Sequence, residues 1–296
     1  MYTLQNDILK IAVKRIGAEL CDIRSVKHNT AFMWNANPEI WGNYAPNLFP
    51  IIGDLKNNTF IFEDKHYMLP KHGFVRNNAD VTLYEQTENS LTFRLISNEA
   101  LLELYPFKFE LYITYTLNDN TIEVTYTVKN TDTKTMYFSV GGHPAFKCPV
   151  FENEKYEDYI LEFEHIENSK THLINMENGL ISSNKEIIFN NSNQISLKHD
   201  LFNRDALVFK DLKSRKVILK SHKKGNIISV SFKDFPFLGI WAKPTGDYVC
   251  IEPWLGVADN EATNQNLKEK EGILSLASNQ TFKATYNIEI HDSHLM

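Results

Sequence analysis

Alternation of apolar and polar residues with a period of two is the feature that most constrains this chain. It is clearest in "FKFELYITYTL" (107–117) and "TIEVTYTVKN" (121–130), which are rich in Phe, Tyr, Ile and Thr. Asn118, Asp119 and Asn120 separate the two segments, and this composition is typical of a turn. Because side chains alternate between the two faces of a strand, the pattern predicts a β-hairpin with one buried face.

The same pattern continues along the chain, and residues with helical spacing are scarce. Residues 206–221 are predicted to form a second hairpin that bends at 211–215, and 259–271 is predicted to be a loop or one short helix. No fixed repeat and no Gly/Ser- or Pro-rich linker divides the chain. We therefore expect one all-β domain over 1–296, an antiparallel sandwich or barrel. Further strands are predicted at "SLTFRLIS" (90–97), "NIISVSF" (226–232), "FLGIWAK" (237–243), "YVCIEPW" (248–254) and "ATYNIEI" (284–290).

Composition limits the classes of function. The 296 residues carry a formal net charge of −6, which argues against a nucleic-acid partner. No segment reaches the roughly 18 consecutive apolar residues of a membrane span, and the N-terminus lacks the apolar region of a secretory signal. The three cysteines include no CxxC pair and are expected to be reduced thiols. These features predict a cytoplasmic protein without a membrane partner.

Four stretches place side chains that can bind a ligand or transfer a proton close to glycine or proline. Glycine lets the backbone approach a ligand closely, and proline stiffens the turn that follows. His143, preceded by two glycines and followed by proline, is therefore a candidate for a fixed imidazole near a ligand. An ordinary turn at a strand end is the alternative for that stretch alone. The stretches are "YAPNLFPIIGDLKNN" (44–58), "LPKHGFVRN" (69–77), "SVGGHPAF" (139–146) and "YVCIEPWLGVADN" (248–260).

Glu252 is the most informative of these residues. Its neighbours Val249, Ile251 and Trp254 indicate a largely buried strand, and carboxylates are rarely buried without a partner or a task. Burial would raise the pKa of the Glu252 carboxyl toward the range that is useful for proton transfer. The alternative is a glutamate on the solvent face of an edge strand, which period-two alternation also permits.

Four motifs together resemble a known family. "LFPIIG…LK", "KHGFVRN", "GGHPAF" and "CIEPWLG" follow one another in the order and with about the spacing of the aldose 1-epimerase (galactose mutarotase-like) family, and most of all of its LacX-like branch. The resemblance covers almost the whole chain. It implies a large antiparallel β-supersandwich that interconverts the α and β anomers of a free aldose without metal or organic cofactor. The implied partner is a small sugar, bound by a monomer or a homodimer.

The resemblance also implies roles for individual residues. Glu252 matches the general base and His143 the general acid, while His72 and Arg76 match positions that line the sugar pocket. Mutarotation needs one group to take the proton of the C1 hydroxyl and another to protonate the ring oxygen. We expect the carboxylate and the imidazole on opposite sides of the sugar ring, and the two glycines before His143 where the sugar approaches the backbone.

Two further sugar ligands rest on looser matches. Lys56 falls in the "GDLK" stretch, where LacX-like members also carry a basic residue. Asp205 is the candidate for the acidic residue that holds a sugar hydroxyl, with Asp200 and Asp211 as alternatives. Because "GGH" replaces the longer asparagine-containing motif of the galactose-specific branch, the resemblance leaves the choice of aldose open.

Alternative functions remain at this point. One is a sugar-binding protein without catalysis, against which the presence of both members of the acid/base pair argues. Another is a hexose 6-phosphate mutarotase, in which Lys56 and Arg76 would clamp the phosphate. A glycosidase would normally need two carboxylates, and only one lies in a convincing motif. Trp241 and Phe146 are candidates to stack on the sugar, although a core role is the expectation for both.

Overall fold

Strands account for nearly all the regular structure in the computed structural model, which describes residues 1–295. Within these residues the α-helix is α1 (Glu99–Leu104), and none of their helices is long and apolar enough to cross a membrane. The strands are β1 (Tyr2–Gln5), β2 (Leu9–Val13), β3 (Leu20–Ser25), β4 (Asn47–Leu48), β5 (Thr59–Phe62), β6 (Lys65–Met68), β7 (Thr82–Gln86), β8 (Ser90–Ile96), β9 (Phe109–Asn118), β10 (Thr121–Asn130), β11 (Met136–Phe138), β12 (Val140–Gly142), β13 (Ala145–Lys147), β14 (Tyr159–Glu167), β15 (Lys170–Ile174), β16 (Ile181–Ile187), β17 (Ser192–Ser196), β18 (Leu207–Phe209), β19 (Lys216–Ser221), β20 (Gly225–Ser231), β21 (Phe237–Trp241), β22 (Tyr248–Leu255), β23 (Leu274–Leu276) and β24 (Thr281–Ile290).

Two large antiparallel sheets make up the sandwich. The first has the order β17-β14-β19-β20-β24-β10-β9-β8-β7, and the second has the order β16-β15-β18-β21-β22-β12-β4. Buried side chains from both sheets belong to one continuous hydrophobic cluster. Smaller sheets, β1-β2-β3, β5-β6 and β11-β23, complete the fold. The all-β class predicted from the alternating pattern is confirmed.

The predicted hairpin at 107–130 is present with the expected faces. β9 and β10 pair from Asn118↔Thr121 outward, so Asp119 and Asn120 form a two-residue turn. Asp119 adopts a positive φ of 49°, a conformation that aspartate and asparagine tolerate in such turns. Every second residue of both strands is buried, because one face of the sheet covers the core.

The predicted hairpin at 206–221 is wrong. β18 pairs with β15 and β21 in the second sheet, whereas β19 pairs with β14 and β20 in the first. The bend at 211–215 therefore carries the chain from one sheet to the other. Two apolar runs around a polar bend look the same in sequence whether they pair with each other or with different partners. The stretch 259–271 is a loop with one short 3₁₀ turn, Leu267–Glu269, in agreement with prediction.

The centre of the second sheet explains where the functional residues meet. β22 is buried at all eight positions and pairs with β21 on one side. On its other side it pairs with β12 and then with β13, in one continuous antiparallel register. The turn between β12 and β13 contains His143, and this register sets His143 opposite Glu252. Strand pairing alone thus brings together two residues that are far apart in sequence.

Candidate active site

A cavity of about 400 Å³ lies against β18, β21 and β22 of the second sheet. Loops and strand ends from several other parts of the chain complete its walls. Five of the six predicted site residues line it: His72, Arg76, His143, Asp205 and Glu252. The other lining residues are Trp41, Pro46, Gly53, Asp54, Lys71, Ile174, Met176, Gly179, Ile181, Phe202, Asn203, Ala206, Val208, Trp241, Lys243, Pro244, Trp254 and Ala258.

His143 and Glu252 form a contact pair at the buried side of this cavity. Nε2 of His143 lies 3.1 Å from Oε2 of Glu252, and Glu252 is only 1% exposed. No well-aligned hydrogen bond from residues 1–295 reaches Oε2 of Glu252 or Nδ1 of His143. Buried polar atoms usually have partners, and unpartnered ones are concentrated where a ligand or a reaction supplies them. The pair is therefore poised to interact with something in the cavity.

Burial acts on the two groups in opposite senses. It raises the pKa of the Glu252 carboxyl well above its usual value, and the charge of Asp205 adds to this while Lys71 opposes it. Burial also lowers the pKa of His143 to about 3, with smaller contributions from the charges of Lys71 and Arg76. Both shifts favour neutral forms, because a charge is costly away from water. Between the two titrations the pair holds one proton.

The contact between the pair differs from the expected placement on opposite sides of a sugar ring. A ring does not fit between two atoms that are 3.1 Å apart. The pair instead faces one edge of a ligand. The ring oxygen and the C1 hydroxyl of an aldose are bonded to the same carbon, so an adjacent acid and base reach both from that edge.

His72 is fixed by reciprocal hydrogen bonds with Gly53. The amide of Gly53 donates to Nδ1 of His72 at 3.0 Å, and the amide of His72 donates to the Gly53 carbonyl at 2.9 Å. With Nδ1 as acceptor, the neutral ring carries its proton on Nε2. Burial lowers the pKa of His72 well below its usual value, and positive charge on His143 would lower it further. His72 thus offers a fixed Nε2–H donor, on a residue whose φ of 65° is uncommon outside glycine.

Three basic residues line the cavity, and only one of them has an acidic partner among residues 1–295. Lys71 pairs with Asp54 at 3.0 Å. The guanidinium of the partly buried Arg76 and the ammonium of the exposed Lys243 have no carboxylate partner within the described chain. Two unpaired cations therefore face the cavity.

The three candidate acids occupy different places. Asp205 lines the cavity, and its carboxylate also accepts a hydrogen bond from the amide of Ala206 at 2.7 Å. Asp200 lines a smaller neighbouring cavity instead. Asp211 accepts a hydrogen bond from the hydroxyl of Ser169. Of the three alternatives, the structure brings only Asp205 to the cavity.

Lys56 does not belong to the cavity lining, contrary to the expectation that it contacts the sugar. Its ammonium donates to the carbonyl of Glu261 at 2.9 Å, and its amide donates to Asp259 at 3.0 Å. These bonds tie the loop after Gly53 to the segment that follows β22. Two lysines that sequence analysis missed do line the cavity: Lys71, directly before His72, and Lys243.

Aromatic rings hold the imidazole of His143 on two sides. Trp41 stacks on it at a centroid distance of 5.0 Å, and Trp241 meets it edge-on at 5.8 Å. Tyr248 stacks on Trp41 at 5.5 Å. Sequence analysis missed Trp41, although it lies three residues before the first of the motif-bearing stretches. Trp241 lines the cavity, whereas Phe146 is fully buried in the core.

The two glycines before His143 serve packing rather than ligand access. A Cβ atom on Gly142 would lie 2.5 Å from the hydroxyl of Tyr286, and one on Gly141 would lie 2.7 Å from the carbonyl of Pro253. Neither glycine lines the cavity. The expectation that they let a sugar approach the backbone is therefore wrong. They allow β12 to lie close to its neighbours, which sets the position of His143.

Comparison with known proteins identifies the family of this chain. The family model described as aldose 1-epimerase matches residues 1–288. The chain belongs to the aldose 1-epimerase family. Within the family it is 37% identical over 295 residues to the chromosomal and plasmid forms of protein LacX from Lactococcus lactis subsp. lactis, covering 97% of this chain and 98% of each relative.

Solved structures of the family have the same fold. A galactose mutarotase related enzyme from Lactobacillus acidophilus superimposes with a TM-score of 0.93 at 36% identity, covering 99% of this chain and 97% of that one. A galactose mutarotase-like protein from Lactobacillus casei ATCC 334 gives 0.91 at 27% identity, covering 98% and 100%. The galactose mutarotase-like β-sandwich implied by the sequence motifs is confirmed.

Proposed function

We propose that this protein is an aldose 1-epimerase that interconverts the α and β anomers of a free aldohexose such as glucose or galactose. The observation that carries the proposal is the buried His143–Glu252 contact at the cavity. Glu252 is the general base that removes the C1 hydroxyl proton, and His143 is the general acid that protonates the ring oxygen. Membership of the aldose 1-epimerase family supports the same reaction.

The proton count of the pair suits this reaction. In the charged arrangement, Glu252 is a carboxylate and His143 an imidazolium. When the ring opens, the carboxylate gains the C1 hydroxyl proton and the imidazolium gives its proton to the ring oxygen, so both groups become neutral. The aldehyde rotates about its C1–C2 bond, and the same transfers run in reverse when the ring closes. No proton is exchanged with solvent in this cycle.

Burial favours the neutral arrangement, which accompanies the open sugar. With a closed sugar, a proton must therefore first pass from Glu252 to His143 to give the charged arrangement that reacts. The pKa of Glu252 is raised and that of His143 is lowered, so both proton transfers move charge off buried groups. Each positioned proton transfer contributes roughly 10²–10⁴-fold to the rate. Stacking of Trp41 on His143 supports the imidazolium form before the transfer.

Sugar hydroxyls are held by the remaining polar groups of the cavity. His72 donates through Nε2, Arg76 donates through its unpaired guanidinium, and Asp205 accepts. Trp241 offers an aromatic surface to the apolar face of the ring. Lys56 is not among these ligands, because its ammonium is held by a backbone carbonyl outside the cavity.

A second candidate substrate is a hexose 6-phosphate, transformed by the same acid/base pair. The unpaired cations Arg76 and Lys243 favour it, because an ammonium and a guanidinium that both face one cavity suit a phosphate. In this alternative Lys243 replaces Lys56 as the partner of Arg76.

Optical rotation of freshly dissolved α-D-glucose, α-D-galactose and α-D-glucose 6-phosphate tests the proposal. We expect the purified protein to speed the decay of rotation of at least one sugar, and Glu252→Gln and His143→Ala to abolish the effect. If the phosphorylated sugar is preferred, Lys243→Ala should raise the KM for glucose 6-phosphate by about tenfold relative to the KM for free glucose. This is the effect expected from losing one charge-assisted contact to the phosphate. Saturable sugar binding without any acceleration would contradict the proposal and favour a binding protein.

A further inference from the structure

A cysteine lies beside the acid/base pair. The side chains of His143, Cys250 and Glu252 each offer one ligand atom, and these atoms all lie within 4.8 Å of one another. Cys250 is fully buried and has no disulfide partner. Neither proton transfer of the proposed epimerisation uses this thiol.

Strand geometry produces the cluster. Cys250 and Glu252 are alternate residues of β22, so both side chains project from the same face of the sheet. His143 lies on the turn between β12 and β13, which pair with the adjacent edge of β22. The three groups are therefore held by strands rather than by flexible loops, and their spacing is built into the sheet.

The ligand set matches the preferences of a thiophilic divalent cation. Zinc takes thiolate sulfur at about 2.3 Å and imidazole nitrogen or carboxylate oxygen at about 2.0–2.2 Å, in tetrahedral geometry. Neighbouring ligand atoms are then about 3.3–3.8 Å apart. Nε2 of His143 and Oε2 of Glu252 are already 3.1 Å apart. The sulfur of Cys250 lies no more than 4.8 Å from either atom, so it needs to move closer by about 1 Å at most to reach ligand spacing.

The atoms of the cluster are also available. Oε2 of Glu252 is buried and accepts no well-aligned hydrogen bond from the described residues, and its near neighbour at 3.1 Å, Nε2 of His143, is itself a member of the cluster. By contrast, the Cys21 thiol donates to the carbonyl of Ala12 at 3.3 Å. Buried carboxylates without a hydrogen-bond partner are unusual, and a metal ion is one group that satisfies them.

We propose that His143, Cys250 and Glu252 form a binding site for a thiophilic divalent cation such as zinc, with the fourth coordination position open to the cavity. The Cys250 thiol loses its proton to solvent as the sulfur–metal bond forms, and the proton that His143 and Glu252 hold between them is released as well, so that a neutral imidazole and a carboxylate bind the ion. Since the ion would occupy both members of the proposed acid/base pair, it inhibits the epimerase; this second part rests on the proposed function.

Cobalt(II) absorption tests binding without any activity assay. Thiolate ligation of Co²⁺ gives a charge-transfer band in the near ultraviolet, so the full-length protein, first stripped with a chelator, is titrated with Co²⁺. We expect one equivalent to produce the band and Zn²⁺ to remove it. Cys250→Ser should abolish the band, while Cys21→Ser and Cys148→Ser should keep it. Glu252→Gln should weaken Co²⁺ binding at least tenfold.

The result that overturns the site is a wild-type protein without the band, or a band that persists in folded Cys250→Ser. Thermal melting checks the fold of each variant, and Cys250→Ala serves if the serine variant does not fold.

Inhibition is measured separately: the Zn²⁺ concentration that halves the epimerase rate should rise at least tenfold in Cys250→Ser. Equal inhibition of both proteins overturns the inhibitory role. A cobalt band in a protein without epimerase activity keeps the metal site and rejects the proposed function.

Discussion

Two buried glutamates, Glu167 and Glu252, are equally hidden from solvent and yet have opposite surroundings. Each is 1% exposed. Glu167 lies at the end of β14 and accepts hydrogen bonds from the amides of Ser214 at 2.7 Å and Lys213 at 3.2 Å. Glu252 receives no such bond from the described residues, and its close neighbour is the ring of His143.

This difference in hydrogen bonding distinguishes a carboxylate that stabilises the fold, Glu167, from one that is proposed to act in catalysis, Glu252. Glu167 caps the bend that carries the chain from β18 in one sheet to β19 in the other, where backbone amides lack strand partners. Its hydrogen bonds compensate the cost of burying it. Glu252 accepts no backbone hydrogen bonds of this kind, so the cost of burying its carboxyl is not offset in the same way, as is typical of functional sites.

The largest expected effect concerns the coupling of the acid/base pair. We predict that His143→Ala and Glu252→Gln each lower kcat/KM by about 10²–10⁴-fold, and that the double variant loses little more than either single one. Groups that act as a unit are non-additive, because removing either one stops the proton cycle. Polarimetry or exchange NMR of the anomers measures this. Fully multiplicative losses would mean that the two residues act independently.

A smaller effect is expected at Glu167, in stability rather than activity. Glu167→Gln should lower the free energy of unfolding by about 1–3 kcal/mol, since a buried amide donor then faces a backbone amide donor. Denaturant melts monitored by tryptophan fluorescence give this value. A stability unchanged within about 0.5 kcal/mol would contradict the capping role of Glu167.

Glu252→Gln should instead stabilise the protein, increasingly so at higher pH. The raised pKa means that folded Glu252 keeps its proton at pH values where the unfolded side chain, with an ordinary pKa near 4.5, has lost it. The free energy of unfolding of the wild type therefore falls as pH rises above 4.5, by at most about 1.4 kcal/mol per pH unit from this group. Glutamine removes this loss.

Denaturant melts of both proteins from pH 5 to pH 8, with a chelator present, measure the difference between them. Glu167→Gln is the control, which should not gain stability relative to the wild type over this range. A Glu252→Gln variant that becomes relatively less stable as pH rises would show that the folded protein prefers the carboxylate. Burial would then not be the dominant influence on the pKa of Glu252.

The smallest expected effect comes from the ring stacked on His143. Trp41→Leu should reduce kcat by about 3–10-fold, the equivalent of roughly 0.5–1.5 kcal/mol for an aromatic pair, and Trp41→Phe by less. Because Trp41 acts through His143, the acid limb of the pH–rate profile should shift in the leucine variant. An unchanged profile with a raised KM would assign Trp41 to sugar binding instead.

Period-two alternation predicted the strands well but not all of their partners. Residues 107–130 fold as predicted because both strands and their turn are local. Residues 206–221 do not, since β18 and β19 join different sheets and pair with strands that are remote in sequence. Which strand a segment pairs with depends on long-range packing that the local pattern does not contain.

The site was predictable to the extent that its residues lie in motifs. His72, Arg76, His143 and Glu252 reach the cavity, as family resemblance implied. Lys56 does not, because its ammonium is bound to the carbonyl of Glu261, which is not part of the cavity lining.

Other site residues carried no signal of their own in the sequence. Lys71, Trp41 and Lys243 reach the cavity through loop conformations, which periodicity does not encode.

The most direct test of Glu252 as the catalytic base is a comparison of Glu252→Gln with Glu167→Gln in one mutarotation assay, with each rate divided by the concentration of folded protein. Both substitutions replace an equally buried carboxyl by an amide. We predict that Glu167→Gln turns over the sugar within about twofold of the wild type, while Glu252→Gln falls by about 10²–10⁴-fold. Equal rates for the two variants would contradict the claim that Glu252 is the catalytic base.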